Sequence, residues 1–92
     1  MSWSVSYTRS AAKAIRDLDP QVRAKVRAAI ERLTEDPTRG KPLQLTLRGL
    51  RSWRTGDWRI VYRATRENLE ILVIAVGHRR DVYDRLRNRL KE

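Results

Sequence analysis

From Leu69 to Val76 the chain is almost unbroken in apolar, mostly branched residues, and this run limits what the rest can form around it. A segment so short and so rich in Leu, Ile and Val suits a strand covered on both faces, in the interior of a sheet. The stretch before it alternates instead. Trp58, Ile60 and Tyr62 take one parity, Arg59, Val61 and Arg63 the other, the period of a half-buried strand. The buried run ends in Gly77-His78-Arg79-Arg80, which places the only histidine of the chain at the edge of the sheet. Polar groups held at the rim of a rigid scaffold are where a site can be built.

Leu50 to Thr55 reads as a further strand, joined to Trp58 by Gly56-Asp57. A Gly-X pair makes a good two-residue hairpin turn. In that register Thr55 faces Trp58, Trp53 faces Ile60 and Arg54 faces Arg59. One side then carries Trp53, Trp58, Ile60 and Tyr62 and is expected beneath helices. The other carries Ser52, Arg54, Arg59, Val61 and Arg63. A three-residue turn would flip one strand and undo the arrangement. Like charges directly opposite each other destabilise a sheet. Arg54 and Arg59 therefore either splay into solvent, pair with Asp57 or Glu70, or form an anion site suited to a phosphodiester.

Trp3, Val5 and Tyr7 alternate with serines and predict a short first strand. Thr8 can cap a helix with Ala11, Ile15 and Leu18 on one face. Asp19-Pro20 restarts the chain, Asp as N-cap and Pro at the first helical position. The second helix carries Val22, Val26, Ile30 and Leu33 on one stripe, and Asp36-Pro37 with Gly40-Lys41-Pro42 end it. Leu43, Leu45 and Leu47 alternate with polar residues and read as another strand, interrupted at Arg48-Gly49. Val82, Leu86 and Leu90 form a narrow stripe on a last helix, which either frays as a terminus or moves when a partner binds. The expectation is an α+β fold: a small, mostly antiparallel sheet with a helical hairpin on one face and a short C-terminal helix.

The chain has 92 residues and is expected to be a single domain spanning 1–92. There is no cysteine, which excludes disulfides and thiolate metal sites. With one histidine and no acidic cluster at ligand spacing, no metal and no cofactor are expected. No leader-like or membrane-length apolar run is present, so a soluble, cytoplasmic protein is expected. Twenty-one Lys and Arg against eleven Asp and Glu leave a net charge of +10. Such a field favours phosphate-rich or strongly acidic partners, and the excess is mostly arginine, whose planar fork suits phosphate.

The pattern Arg54-x-Gly56-Asp57-x-Arg59-x-x-Tyr62, an apolar strand, Val76-Gly77-His78-Arg79 and then Val82-Tyr83 resembles the RelE/ParE superfamily of bacterial toxins. The resemblance covers essentially the whole chain and implies the RelE-like fold. It further implies a toxin neutralised by a cognate antitoxin protein, with DNA met only indirectly through that antitoxin. The RelE branch cleaves messenger RNA in the ribosomal A site without a metal; the ParE branch inhibits DNA gyrase without nuclease activity. Carried over by motif, Arg59 matches the arginine that contacts the scissile phosphate, and Arg79 the one that stabilises its charge or aids the leaving group. Tyr83 matches the tyrosine that orients or activates the 2′-hydroxyl, and His78 stands where many members place His or Lys. Arg54, with Arg63 and Arg80, would add phosphate contacts. The chain departs from the best-known RelE enzymes at Leu50 and Ser52, where they carry lysines, and Arg51 points to the other face. The general base is thereby left open.

Cleavage of RNA by its own 2′-hydroxyl needs a group to take the 2′ proton, charge to stabilise the crowded phosphate, and a group to protonate the 5′ oxygen. Arginine cannot readily do the first, because it stays protonated, and is well suited to the second. His78, with an ordinary pKa of about 6.5, is the natural proton-transfer group, unless it is merely structural. Tyr83 serves as base or positioning residue, or else simply packs the last helix. A plain nucleic-acid-binding protein is a third class, disfavoured because no helix-turn-helix pattern is present.

Overall fold

The computed structural model describes residues 3–90. The elements are β1 (Ser4–Tyr7), α1 (Arg9–Arg16), α2 (Pro20–Glu35), a 3-10 turn (Pro37–Arg39), β2 (Lys41–Pro42), a second 3-10 turn (Leu45–Leu47), β3 (Arg51–Thr55), β4 (Trp58–Thr65), β5 (Glu70–His78) and α3 (Arg79–Leu90). The sheet runs β1-β5-β4-β3-β2, with β1 parallel to β5 and every other pairing antiparallel. The apolar run is thus internal, flanked on both sides.

Both faces of the sheet are covered. On one, Ile15, Val26, Ile30 and Leu33 of α1 and α2 meet Ile60, Tyr62, Ile71, Val73 and Val76. On the other, Val82 and Leu86 of α3 meet Leu47 and Val61, with Ile74 and Ala75 alongside. The side chain of Leu90, expected third on the α3 stripe, lies outside the described residues. Ile74 and Ala75 are consecutive yet pack on the same side because the β4–β5 ladder slips there: Val61 pairs with Ala75 and Tyr62 with Val73. This bulge inserts one residue into β5.

Local chemistry explains the element boundaries. Thr8 accepts a hydrogen bond from Ala11 N at 3.1 Å and so caps α1. Asp19 occupies the N-cap of α2 before Pro20, without a side-chain cap bond. Gly56 has φ of +60° and Asp57 has no positive φ, a type II′ turn, which takes glycine first. The β3–β4 register pairs Arg54 with Arg59 and Trp53 with Ile60, as the hairpin reading requires.

Two expectations fail. Leu43, Leu45 and Leu47 form no strand: Leu45 is 88 % exposed at φ of +56°, within a 3-10 turn that folds only Leu47 into the core. Three leucines at strand spacing do not make a strand without a partner edge, and β2 stops at Pro42, which has no N–H to continue a ladder. Helix α1 stops at Arg16, so Leu18 packs on the core from the connection rather than from the helix.

The side of the sheet under α2 is fastened at Tyr62. Its ring is fully buried, its hydroxyl donates to Pro37 O at 2.5 Å and accepts from Gly40 N at 3.0 Å. Burial pushes this phenol above its ordinary value, partly offset by the Gly40 N–H. A Cβ on Gly40 would lie 2.7 Å from Tyr62 Cε1, so only glycine lets the loop close onto the ring. Arg51, on the same side, donates to Gly40 O at 2.6 Å. These bonds fix the turn from which β2 departs.

Candidate active site

Beside α3, the strands β2, β3 and β4 form one wall of a cleft of about 500 Å³. Arg39, Lys41, Arg54 and Arg59 line it together with Ser52 and Tyr83, and Leu43 and Trp53 complete it. Each residue arrives by a separate local rule. The hairpin register puts Arg54 opposite Arg59, and β2–β3 pairing puts Lys41 opposite Ser52. Arg39 ends a 3-10 turn capped by Asp36, whose carboxylate accepts from Thr38 Oγ1 at 2.6 Å and Thr38 N at 3.1 Å. Those bonds, the side-chain one first, hold the Asp36 carboxyl below its ordinary value.

The facing arginines do not take the carboxylate partners that the sequence offered. Among the described residues, no Asp or Glu lies within ion-pair distance of Arg54 or Arg59. Arg59 turns back on the hairpin and donates to Gly56 O at 3.1 Å and Trp58 O at 3.3 Å. Its guanidinium retains donors for an anion.

Tyr83 is brought to the cleft by α3 and held there by Ser52, hydroxyl to hydroxyl at 2.6 Å. Ser52 is buried and Tyr83 half-buried. The helix reaches this position because Gly77 is bare: a Cβ there would lie 2.9 Å from Val82 Cβ and 2.6 Å from Arg85 Nη2. A side chain at 77 would therefore lever α3, and Tyr83 with it, off the sheet.

At the end of the sheet Asp57 gathers the β5–α3 junction. Its carbonyl accepts from Arg79 N at 2.7 Å, and its Oδ1 lies 3.1 Å from both Nε and Nη2 of Arg79. Arg79 has φ of +41°, a conformation unusual for a branched-off side chain and held here by these bonds. Arg79 thus points at Asp57 and does not line the cleft.

His78 stands at the end of β5, as expected, but does not line the cleft. It pairs across the ladder with Trp58 and therefore shares that residue's face, under α1 and α2. The two rings meet edge to face with centroids 5.3 Å apart, and Nε2 lies 3.9 Å from Asp57 Oδ2. Arg63 is exposed, two residues past Val61, and is not part of the lining. The side chain of Arg80 lies outside the described residues.

Arg39 and Lys41 are the cleft residues that sequence reasoning missed. Both stand in the segment that reads as a helix stop, Arg39-Gly40-Lys41-Pro42. A signal was present: a lysine followed by proline is how an edge strand is commonly ended and protected. Recognising an edge strand there would have set Lys41 beside the hairpin.

Among the described residues, no group of three or more His, Asp or Glu is placed to hold a metal, and no helix is long and apolar enough to cross a membrane.

The sheet order, the helical hairpin on one face and the basic cleft under a C-terminal helix define a small α+β protein of RelE-like architecture. Residues 5–83 match the family described as ParE toxin of the type II toxin-antitoxin system, parDE. Toxin RelG of Mycobacterium tuberculosis is 36 % identical over 87 residues, covering 92 % of this chain and all of that protein. The toxin–antitoxin complex RelBE2 of the same organism contains a chain of 32 % identity and TM-score 0.81, over 86 % of this chain and 93 % of that one. The isolated Escherichia coli RelE toxin aligns over 97 % of this chain and 99 % of its own, at TM-score 0.74 and 21 % identity. The chain belongs to the RelE/ParE superfamily of type II toxin–antitoxin toxins.

Proposed function

We propose that this toxin is a ribosome-dependent mRNA endoribonuclease that inhibits translation, cleaving by 2′-hydroxyl attack without a metal. The observation that carries the reading is the cleft in which Arg39, Lys41, Arg54 and Arg59 surround a tyrosine held by Ser52. Fixed cations around one hydroxyl suit a phosphodiester whose charge grows in the transition state. Arg59 and Arg54 clamp the phosphate, and Tyr83 takes or orients the 2′ proton. Arg79 joins them by exchanging the Asp57 carboxylate for phosphate, an exposed ion pair that costs little to break. His78 stays out of the chemistry and packs on Trp58.

The setting follows from the relatives. The RelBE2 complex of Mycobacterium tuberculosis, the RelBE complex of Escherichia coli and the RelE–RelB complex of Pyrococcus horikoshii each pair a toxin with its antitoxin. A cognate antitoxin of acidic or amphipathic character would offset the charge of +10 here, in the cytoplasm.

A second reading is a gyrase inhibitor without nuclease activity, favoured by the match to a ParE description. One experiment separates the two. Cleavage is mapped on a defined messenger RNA, naked and in translating ribosome complexes, with wild type and an Arg59→Ala, Tyr83→Ala double variant. Cuts that need ribosomes and vanish in the variant are the expected result. Folded, toxic protein that cuts nothing would defeat the nuclease reading, and a supercoiling assay would then be decisive.

A further inference from the structure

Ser52 stands where packing alone would set an apolar residue. Apart from Tyr62, it is the only residue with a polar side chain among the buried described residues. Its cross-strand neighbour Val61 is wholly buried in the apolar cluster beneath α3. A hydroxyl in such a place costs stability unless it is bonded, and the bond it makes is to the Tyr83 hydroxyl, at 2.6 Å. Departures of this kind from core packing concentrate at functional sites.

Apolar packing explains little of how Tyr83 is oriented. Val82 and Leu86 hold α3 against Leu47 and Val61, contacts that set the height of the helix but have no direction. A phenol O–H turns about its C–O bond until a partner fixes it. Ser52 is that partner, and it comes from β3, the strand that carries Arg54 two residues on. The hairpin register sets Arg59 opposite Arg54. One strand pair therefore fixes both the arginine donors and the tyrosine oxygen. Bonded to Ser52 on one side, that oxygen keeps its other bonding direction for the cleft.

We propose that Ser52 is a positioning residue for cleavage and acts through Tyr83, an inference that rests on the nuclease reading. It fixes the phenol so that a 2′-hydroxyl bonded to it is held in line with the phosphate that Arg54 and Arg59 clamp. Ser52 itself touches no substrate. The role needs no ionisation of Tyr83 and leaves the departing 5′ oxygen to Arg79.

The test uses the full chain on translating ribosomes programmed with a defined message. Single-turnover cleavage is compared for wild type, Ser52→Ala, Tyr83→Phe and the double variant, with a urea unfolding midpoint for each. Ser52→Ala is expected to lower the maximal rate by about 10- to 100-fold, while the toxin concentration giving half that rate changes little. Added to Tyr83→Phe, it brings no further loss, because both substitutions remove the same bond. Alanine suits the buried place and the half-buried phenol can turn to water, so the midpoint of Ser52→Ala stays at that of wild type or above it. Ser52→Ala that cuts as fast as wild type would overturn the proposal and leave the nuclease reading intact. Slowing of Tyr83→Phe by the same factor as wild type would do the same. A rate loss matched by a fall in the midpoint would make Ser52 a structural contact and also overturn it. Wild type that cuts nothing would overturn both.

Discussion

Tyr62 fastens two parts of the chain with one hydroxyl, and its removal should be felt in stability rather than in chemistry. Tyr62→Phe leaves Gly40 N–H and Pro37 O buried without their partner. A loss of about 1–3 kcal/mol is expected from such an orphaned pair, measured by urea unfolding. The pH dependence has a definite sign. The phenol is raised in the folded state, so its contribution is complete below the unfolded value of about 10 and is lost as pH rises through the higher folded value. The stability gap between wild type and Tyr62→Phe should therefore narrow above pH ~10. A gap independent of pH would mean that the hydroxyl is not buried as described. Residues of this kind were half legible: alternation put Tyr62 on the core face, but nothing in the sequence announced that its hydroxyl would reach back to residues 37 and 40.

Among the elements, β5 and α3 decide what the site contains. The junction rests on Gly77, and Gly77→Ala should displace α3 enough to break the Ser52–Tyr83 hydrogen bond. The expected outcome is faster hydrogen exchange confined to α3 and a cleavage loss comparable to that of Tyr83→Phe. Unchanged exchange in α3 would show that the contact is absorbed elsewhere. The same strand shows why part of the site resisted reading. The hairpin register was legible because Gly56-Asp57 admits one two-residue turn, and that fixed Ser52, Arg54 and Arg59 on one face. The β4–β5 register was not. From the pairing of Thr65 with Glu70, an unbroken ladder would set Val76 opposite Arg59 and bring His78 onto the arginine face. The extra residue at Ile74–Ala75 reverses the parity of everything after it, and His78 goes to Trp58 instead. A bulge inside a uniformly branched apolar run leaves no compositional trace, because every residue there suits either face.

For the molecule as a whole, charge sets the range over which a polyanion is felt. Binding to single-stranded RNA should weaken with salt, with log K falling by about 0.7 per phosphate contact for each decade. Arg54→Gln removes one cleft cation and should flatten that slope by about 0.7, whereas substitution at Lys13, far from the cleft and paired with Asp17 at 2.9 Å, should leave it unchanged. Equal slopes for wild type and Arg54→Gln would remove Arg54 from the phosphate contacts.

The strand order also governs when such a molecule can exist during its own synthesis. The last strand made, β5, is inserted between the first, β1, and its predecessor, β4. Until it is made, β1 has no neighbour in the sheet, α1 and α2 have no complete surface to cover, and Tyr83, which follows it in the chain, is missing from the cleft. A growing chain on the ribosome therefore carries an unfinished sheet and no working cleft. Closing of the sheet and assembly of the cleft are thus tied to the synthesis of β5 and α3, and neither can precede them.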